Sequence, residues 1–262
     1  MSKAFKYIIG SIPFILTLII YSILSYQQHI KNPEDRLMPR PNQLINGIKW
    51  SFSHGSIGQS DAIPIVKDTI ASLRRLLISL SISGIIALVI AIGMQNSTFL
   101  LYLFKPFIVT LAKIPPLALL PILLLWVGIS EISKITLIII GITPYLCLHL
   151  KNDLEKADNL YQEKLFTIKL PILQKILFID LLIIWPSFLH QMQTCLGSAW
   201  LFLLVAETVG ANYGLGYRIF VVRRYLAMDI IFVYVAWITL LSVFMFILLS
   251  AWQKRYEWYY KT

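Results

Sequence analysis

The run Lys113-Ile-Pro-Pro-Leu-Ala-Leu-Leu-Pro121 sets three prolines and a lysine in an otherwise apolar stretch. Proline gives no N–H to a helix and collides with the carbonyl four residues back. In a lipid-embedded helix, a carbonyl freed in this way must meet protein or the water of a cavity. Broken helices of this kind line solute pathways in transporters. Lys113 is an ionisable group inside the run and a candidate for attracting an anionic solute. It lies about 13 Å into its span at 1.5 Å per residue, so it snorkels to the interface only in part. Covalent chemistry has no comparable signature. The chain contains no GxxxxGK[ST], HExxH or GxSxG. His29, His54, His149 and His190 are scattered, and Cys147 and Cys195 sit in apolar runs without a CxxC or metal-type neighbour. The expectation is a chain that is not an enzyme, with no metal site and no cofactor of its own.

The elements that would position these residues follow from composition. Of 262 residues, 58% are hydrophobic and 14% charged, and the mean hydropathy is +0.73. Soluble domains run near 45–50% apolar and about 25% charged. A soluble fold is thereby excluded, and the 7 Trp, 13 Tyr and 14 Phe exclude a disordered chain. The apolar runs are long and unbroken, unlike the alternating segments of a membrane β-barrel. The reading is an all-α membrane protein of about six transmembrane helices, at 7–26, 76–94, 104–127, 132–150, 176–205 (interrupted by Pro186) and 230–252. The net charge of +10 fits cations that flank spans and meet lipid headgroups, with no nucleic-acid partner. Residues 1–62 read as an uncleaved anchor helix followed by a long extramembrane loop at 27–62. Residues 63–75 read as a short interfacial amphipathic helix. Residues 63–262 form the membrane domain proper. The positive-inside bias leans weakly toward both termini in the cytoplasm once the cations of the long loop are discounted. Asp180, inside span five, poses the same question as Lys113: it is either a pathway charge or the partner of a neighbouring lysine.

The charged segment 151–175 allows two readings. It is a solvated loop, or it is a docking element whose face Leu154, Ala157, Tyr161, Leu165 and Ile168 fits a partner's groove. The polar, Gly-rich segment 207–229 reads as a second irregular stretch.

At this point the order of motifs becomes informative. Lys113-Ile114-Pro115-Pro116-Leu117-Ala118, then Pro121, Trp126-Val-Gly128 and Glu131-Ile-Ser133-Lys134, form one long pattern. Leu196-Gly197-Ser-Ala199-Trp200, Val205-Ala206-Glu207 and Gly214-Leu215-Gly216-Tyr217 form a second. Both resemble the permease subunits of bacterial ABC importers of the nitrate/sulfonate/taurine type. Ala71-Ser72-Leu73-Arg74 is similar to that family's A-S-L-x-R, with the arginine one position early. The resemblance covers residue 63 to the end.

The resemblance implies a type I ABC importer-like permease fold in the bacterial inner membrane, with both termini cytoplasmic. It implies two ABC ATPase subunits that carry ATP and Mg, a periplasmic substrate-binding protein, and a homodimer of this chain. Segment 151–175 becomes the cytoplasmic coupling element. In the ungapped register Glu163 takes the family's glutamate position, Lys164 and Leu165 replace the two alanines, and Lys169 replaces the glycine. A gapped register uses Glu155-Lys156-Ala157 with Leu170-Pro171. The coupling set is Asp158, Tyr161, Glu163, Leu165, Ile168 and Lys169. The pathway and gate set is Lys113, Pro115, Pro116, Pro121, Trp126 and Trp200. Glu207, Gly214, Leu215 and Gly216 shape the periplasmic scoop. The solute would be small and anionic. The largely replaced small residues of the coupling motif keep two alternatives in view, a non-transporting membrane scaffold and an ATPase-independent secondary transporter.

Overall fold

The computed structural model describes residues 3–32, 37–53, 63–167, 172–176 and 180–256. Side chains are described for all of these except 3–11, 14, 158–167, 172–173, 183 and 256. Among the described residues every regular element is a helix. In chain order the helices are α1 Lys3–Lys31, α2 Pro41–Phe52, α3 Pro64–Asn96, α4 Thr98–Leu111, a 3-10 turn Pro116–Leu119, α5 Leu120–Val127, α6 Glu131–Thr167, α7 Ile172–Lys175, α8 Leu181–Thr208, α9 Leu215–Arg223 and α10 Met228–Tyr256. By length and hydropathy α3, α6, α8 and α10 are able to cross a membrane, and α4 with the segment Pro116–Val127 makes a fifth candidate bent by 85°.

Several sequence expectations are corrected. The helix expected at 63–75 is not a separate interfacial element. It is the first part of α3, which runs unbroken to Asn96 because no breaker separates Arg75 from Leu76. Its polar residues Asp68, Ser72 and Arg75 are buried and do not face headgroups. The loop at 27–62 contains α2, which begins with Pro41 at its first turn, where the missing N–H costs nothing. Gln43 then accepts the Arg40 N–H at 2.7 Å. The charged segment after residue 150 does not start a loop, since α6 continues to Thr167. Pro186 lies inside α8 without ending it. The irregular segment at 207–229 holds α9.

Contacts divide the chain into two units, one of residues 1–67 with 218–237 and one of 68–217 with 238–262. In the first, Tyr21 donates to the Pro39 carbonyl at 2.9 Å and Ser25 to the Met38 carbonyl at 3.0 Å, which ties α1 to the start of α2. Phe52 stands edge-on to Trp237 with ring centroids 5.8 Å apart. In the second unit, α6 and α8 form the main helix pair, and α4, the 3-10 turn and α5 pack against α6. Leu137, Ile138, Leu146 and Leu150 of α6 and Leu189, Leu196 and Leu203 of α8 are buried.

Candidate functional site

The second unit holds a cluster of buried charges. Arg75 is its centre. Its Nε and one terminal nitrogen grip the two oxygens of Glu131 at 2.6 and 2.8 Å. The other terminal nitrogen donates to Glu207 Oε1 at 2.6 Å and to the Tyr213 carbonyl at 2.9 Å. Glu207 is 0% exposed. It also accepts from Ser72 Oγ at 2.8 Å and from the Gly216 N–H at 2.9 Å. Ser72 Oγ in turn accepts the Leu215 N–H at 2.9 Å, and Asp68 accepts the Gly214 N–H at 3.0 Å. Lys134 Nζ reaches Glu131 at 3.3 Å and the Gly210 carbonyl at 3.4 Å.

The positions follow from helix geometry. Asp68, Ser72 and Arg75 recur at four and three residues, so they line one face of α3. Glu131 is the first residue of α6, and Glu207 is the next-to-last of α8. One guanidinium thus ties three helices and the loop 209–214 together. A charge this deeply buried is tolerated only when paired and hydrogen-bonded, and here the fork of Arg75 meets both carboxylates.

The scoop residues therefore converge. Glu207, Gly214, Leu215 and Gly216 belong to one hydrogen-bonded set, and Glu207 holds the loop from within instead of facing solvent. Sequence reasoning put the family arginine at Arg74, one position early. The structure corrects this: Arg74 is exposed and the engaged side chain is Arg75, which restores the A-S-L-x-R spacing. The coupling residues Asp158, Tyr161, Glu163 and Leu165 lie on the backbone of α6, and Ile168 and Lys169 lie outside the described residues. Glu155 of the gapped register pairs with Lys151 one turn earlier. Asp180 accepts a hydrogen bond from Asn96 Nδ2 at 2.6 Å.

The proline run does break its helix. After Leu111 the chain turns at Ala112 and Lys113 and resumes as the 3-10 turn at Pro116. Beneath the break lies a cavity of about 320 Å³, walled by Ala112 and Pro116 of the bend, Gly141 and Tyr145 of α6, and Thr194, Cys195, Ser198 and Phe202 of α8, among others. Of the six residues assigned to the pathway, Pro116 lines it. Lys113, Pro115 and Pro121 are exposed at the bend. Trp126 is 81% exposed, and Trp200 is 4% exposed with its indole nitrogen unpartnered.

The walls have a definite chemistry. The Ala112 carbonyl faces prolines at both three and four residues on, so neither local helical donor exists. Ile140, also in the wall, precedes Pro144 by four residues and lacks its α-helical donor for the same reason. Tyr145, Thr194 and Ser198 add hydroxyls, of which that of Thr194 donates to the His190 carbonyl at 3.1 Å. Among the described residues, no charged side chain lines the cavity. On α8, His190, Thr194, Gly197 and Ser198 form an exposed small and polar face. Most of the exposed residues of α10 are apolar, including Leu240, Val243, Phe244, Ile247 and Leu248, with Thr239 and the terminal Lys254 and Arg255 exposed among them. Sequence reasoning missed Tyr145, Thr194, Ser198 and Phe202. The spacing of His190, Thr194 and Ser198, one polar residue every fourth position within a span, is the signal that marks that face.

The buried cluster, the broken helix and the polar α8 face can be set beside known proteins. The family model for the binding-protein-dependent transport system inner membrane component matches residues 83–257. The chain is 27% identical over 218 residues to the taurine transport system permease protein TauC of Escherichia coli, covering 83% of this chain and 78% of TauC. It is 27% identical over 206 residues to the formylaminopyrimidine transport permease protein ThiX of Halalkalibacterium halodurans, covering 72% of this chain and 82% of ThiX. Membership implies partnership with a substrate-binding protein and an ATPase, and a multi-pass inner-membrane location. With its apolar spans and a match over most of its length, this chain belongs to the inner membrane components of binding-protein-dependent transport systems, the translocation-pathway subunits of ABC importers.

Proposed function

We propose that this chain passes a small organic anion of the alkylsulfonate type, delivered by a periplasmic binding protein, through the cavity beneath the proline break. The observation that carries this reading is that cavity, which combines acceptor carbonyls, hydroxyls and no fixed charge. Acceptor carbonyls suit a donor group such as an ammonium, and the hydroxyls of Tyr145 and Ser198 suit sulfonate oxygens. The absence of a fixed cation in the wall favours passage over capture, since conduction needs binding weak enough to release. The taurine transport relative supports the substrate class.

In this reading α1 is the sixth span, and both termini are cytoplasmic. Two copies form a homodimer, and their polar α8 faces border the pathway while α10 faces lipid. Two ATPase subunits carry ATP and Mg and perform all hydrolysis. Lys113, Pro115, Pro116, Pro121, Trp126 and Trp200 shape the pathway, and Glu207 with Gly214, Leu215 and Gly216 shapes the surface that receives the binding protein. Asp158, Tyr161, Glu163, Leu165, Ile168 and Lys169 meet the ATPases. ATP binding shifts the assembly toward the state that the ATP-bound partner holds more tightly.

The test is uptake. Cells deleted for this chain are expected to lose uptake of labelled taurine and short alkanesulfonates and to regain it on complementation. Unchanged uptake of all of them in the deletion strain overturns the substrate class. Coupling is tested separately. Glu163→Arg is expected to abolish co-purification of the ATPase and leave the membrane domain folded, with an unchanged elution position in detergent. Full retention of the ATPase by that variant overturns the ungapped register.

A further inference from the structure

The cavity has two different ends. Glu131 and Glu207 meet at Arg75, so the start of α6 and the end of α8 lie at one end of the helix pair. Phe202 is five residues from Glu207 and Thr194 is thirteen, so about 12 Å of α8 separates them at 1.5 Å per residue. The cavity thus runs from Phe202, toward the buried charge cluster, to Tyr145 and Thr194, away from it. Its two limits are unlike. Tyr145 is exposed and its ring lies 4.3 Å from that of His149. Phe202 is 8% exposed.

Phe202 is buried because α6 makes room for it. A Cβ added at Gly141 would stand 2.5 Å from Phe202 Cε2 and 2.7 Å from Cδ2, closer than real side chains approach. The missing side chain at 141 is the seat of the ring. The ring packed into this glycine notch across the main helix pair lines the cavity at that limit. It also has one soft degree of freedom, rotation about its own χ1, that would carry it out of the notch.

We propose that Phe202, seated against Gly141, closes the solute cavity at its Glu207 end, and that it swings off Gly141 to admit the small anion handed over by the binding protein. The proposal rests on the reading that this cavity lies on the translocation pathway. Phe202 touches neither the ATPase segment nor the buried charge cluster among the contacts described, so its effect is confined to access.

Cys195 is a native reporter in the cavity wall. The chain has two cysteines, so Cys147→Ala leaves Cys195 as the single thiol. The probe is a membrane-impermeant trimethylammonium methanethiosulfonate, applied to right-side-out and to inside-out membrane vesicles from cells that express the whole transporter. Adding Phe202→Ala is expected to raise the labelling rate from the outside by about tenfold or more, equivalent to about 1.4 kcal/mol of lost closure. Labelling from the inside is expected to stay unchanged. Gly141→Ala, which displaces the ring without removing it, is expected to give the same one-sided increase, and Phe202→Leu, which keeps the bulk, is not. If Cys195 labels from the inside but neither variant changes its rate from the outside, the closure is elsewhere and this proposal fails while the pathway reading stands. If Cys195 labels from neither side in any variant, the cavity is not on the pathway, and the pathway reading fails with it.

Discussion

Arg75→Met is expected to lower folding stability by about 3–5 kcal/mol, the cost of removing one partner from a buried ion pair. The reason is Glu207. It is 0% exposed, and the only described cation within salt-bridge distance of it is Arg75, at 2.6 Å. Ser72 Oγ and the Gly216 N–H would still donate to it, but neither cancels its charge. Glu131 would fare better, because it is partly exposed and keeps Lys134 at 3.3 Å. The double variant Arg75→Met/Glu207→Gln should recover much of the loss, since it leaves no unpaired buried charge at that point. Glu207→Gln alone should cost less than Arg75→Met, because Glu131 still neutralises the guanidinium through two hydrogen bonds. The measurement is equilibrium unfolding of the three variants in one detergent. A loss below about 1 kcal/mol for Arg75→Met, the value of an exposed pair, contradicts the buried pairing.

Gly216→Ala is the second large effect. A Cβ at 216 would lie 2.4 Å from the Leu204 carbonyl oxygen and 2.9 Å from Leu204 Cα. Both are backbone atoms near the C-terminal end of α8, so no side-chain rotation relieves the clash. The start of α9 must move away from α8. That movement stretches the Gly216 N–H to Glu207 hydrogen bond, now 2.9 Å. Overpacking costs about 1–3 kcal/mol and loss of a hydrogen bond to a charged group about 1.5–3. The expected total is about 2.5–6 kcal/mol, with faster proteolysis of the 209–214 loop as a local signature. An alanine variant that unfolds with the parent and resists protease equally well contradicts the close packing of α8 and α9. Gly197→Ala is the control, since nothing lies within 4 Å of a Cβ there.

Some of this was legible in the sequence for physical reasons. Pro115 and Pro116 remove consecutive N–H groups, and no tertiary context restores a missing donor, so the break between α4 and α5 could be read directly. Glu207 with Gly214-Leu215-Gly216 was legible through the resemblance to the permease family's spacing, while composition alone showed only an irregular, Gly-rich stretch. Arg75 was harder to see. Arg74 and Arg75 are chemically identical neighbours; the A-S-L-x-R spacing counted from Ala71 already points to Arg75, and the rotation of α3 turns that one inward. The cavity was less visible still. Gly141, Tyr145 and Phe202 are ordinary components of a membrane span, and the space between them exists only through the pairing of α6 with α8. The length of α6 was missed because the charges after residue 150 resemble a loop. Yet Lys, Glu, Leu and Ala are good helix formers and no breaker occurs before Pro171.

That uninterrupted α6 has a mechanical consequence. Its 37 residues make a rod of about 55 Å at 1.5 Å per residue. The hydrocarbon layer is about 30 Å thick, so close to half the rod stands clear of it. One end is gripped at Glu131 by the guanidinium of Arg75, and the other carries the charged segment through Thr167. Pro144 removes one rung of the ladder without dividing the helix. A rod has no joint in which to dissipate a rotation. A tilt of about 5° about the Glu131 end sweeps the far end through about 5 Å, one helical turn's rise. Small adjustments at the buried clamp and steps of a full turn at the polar tip are therefore the same motion, seen from opposite ends of one lever.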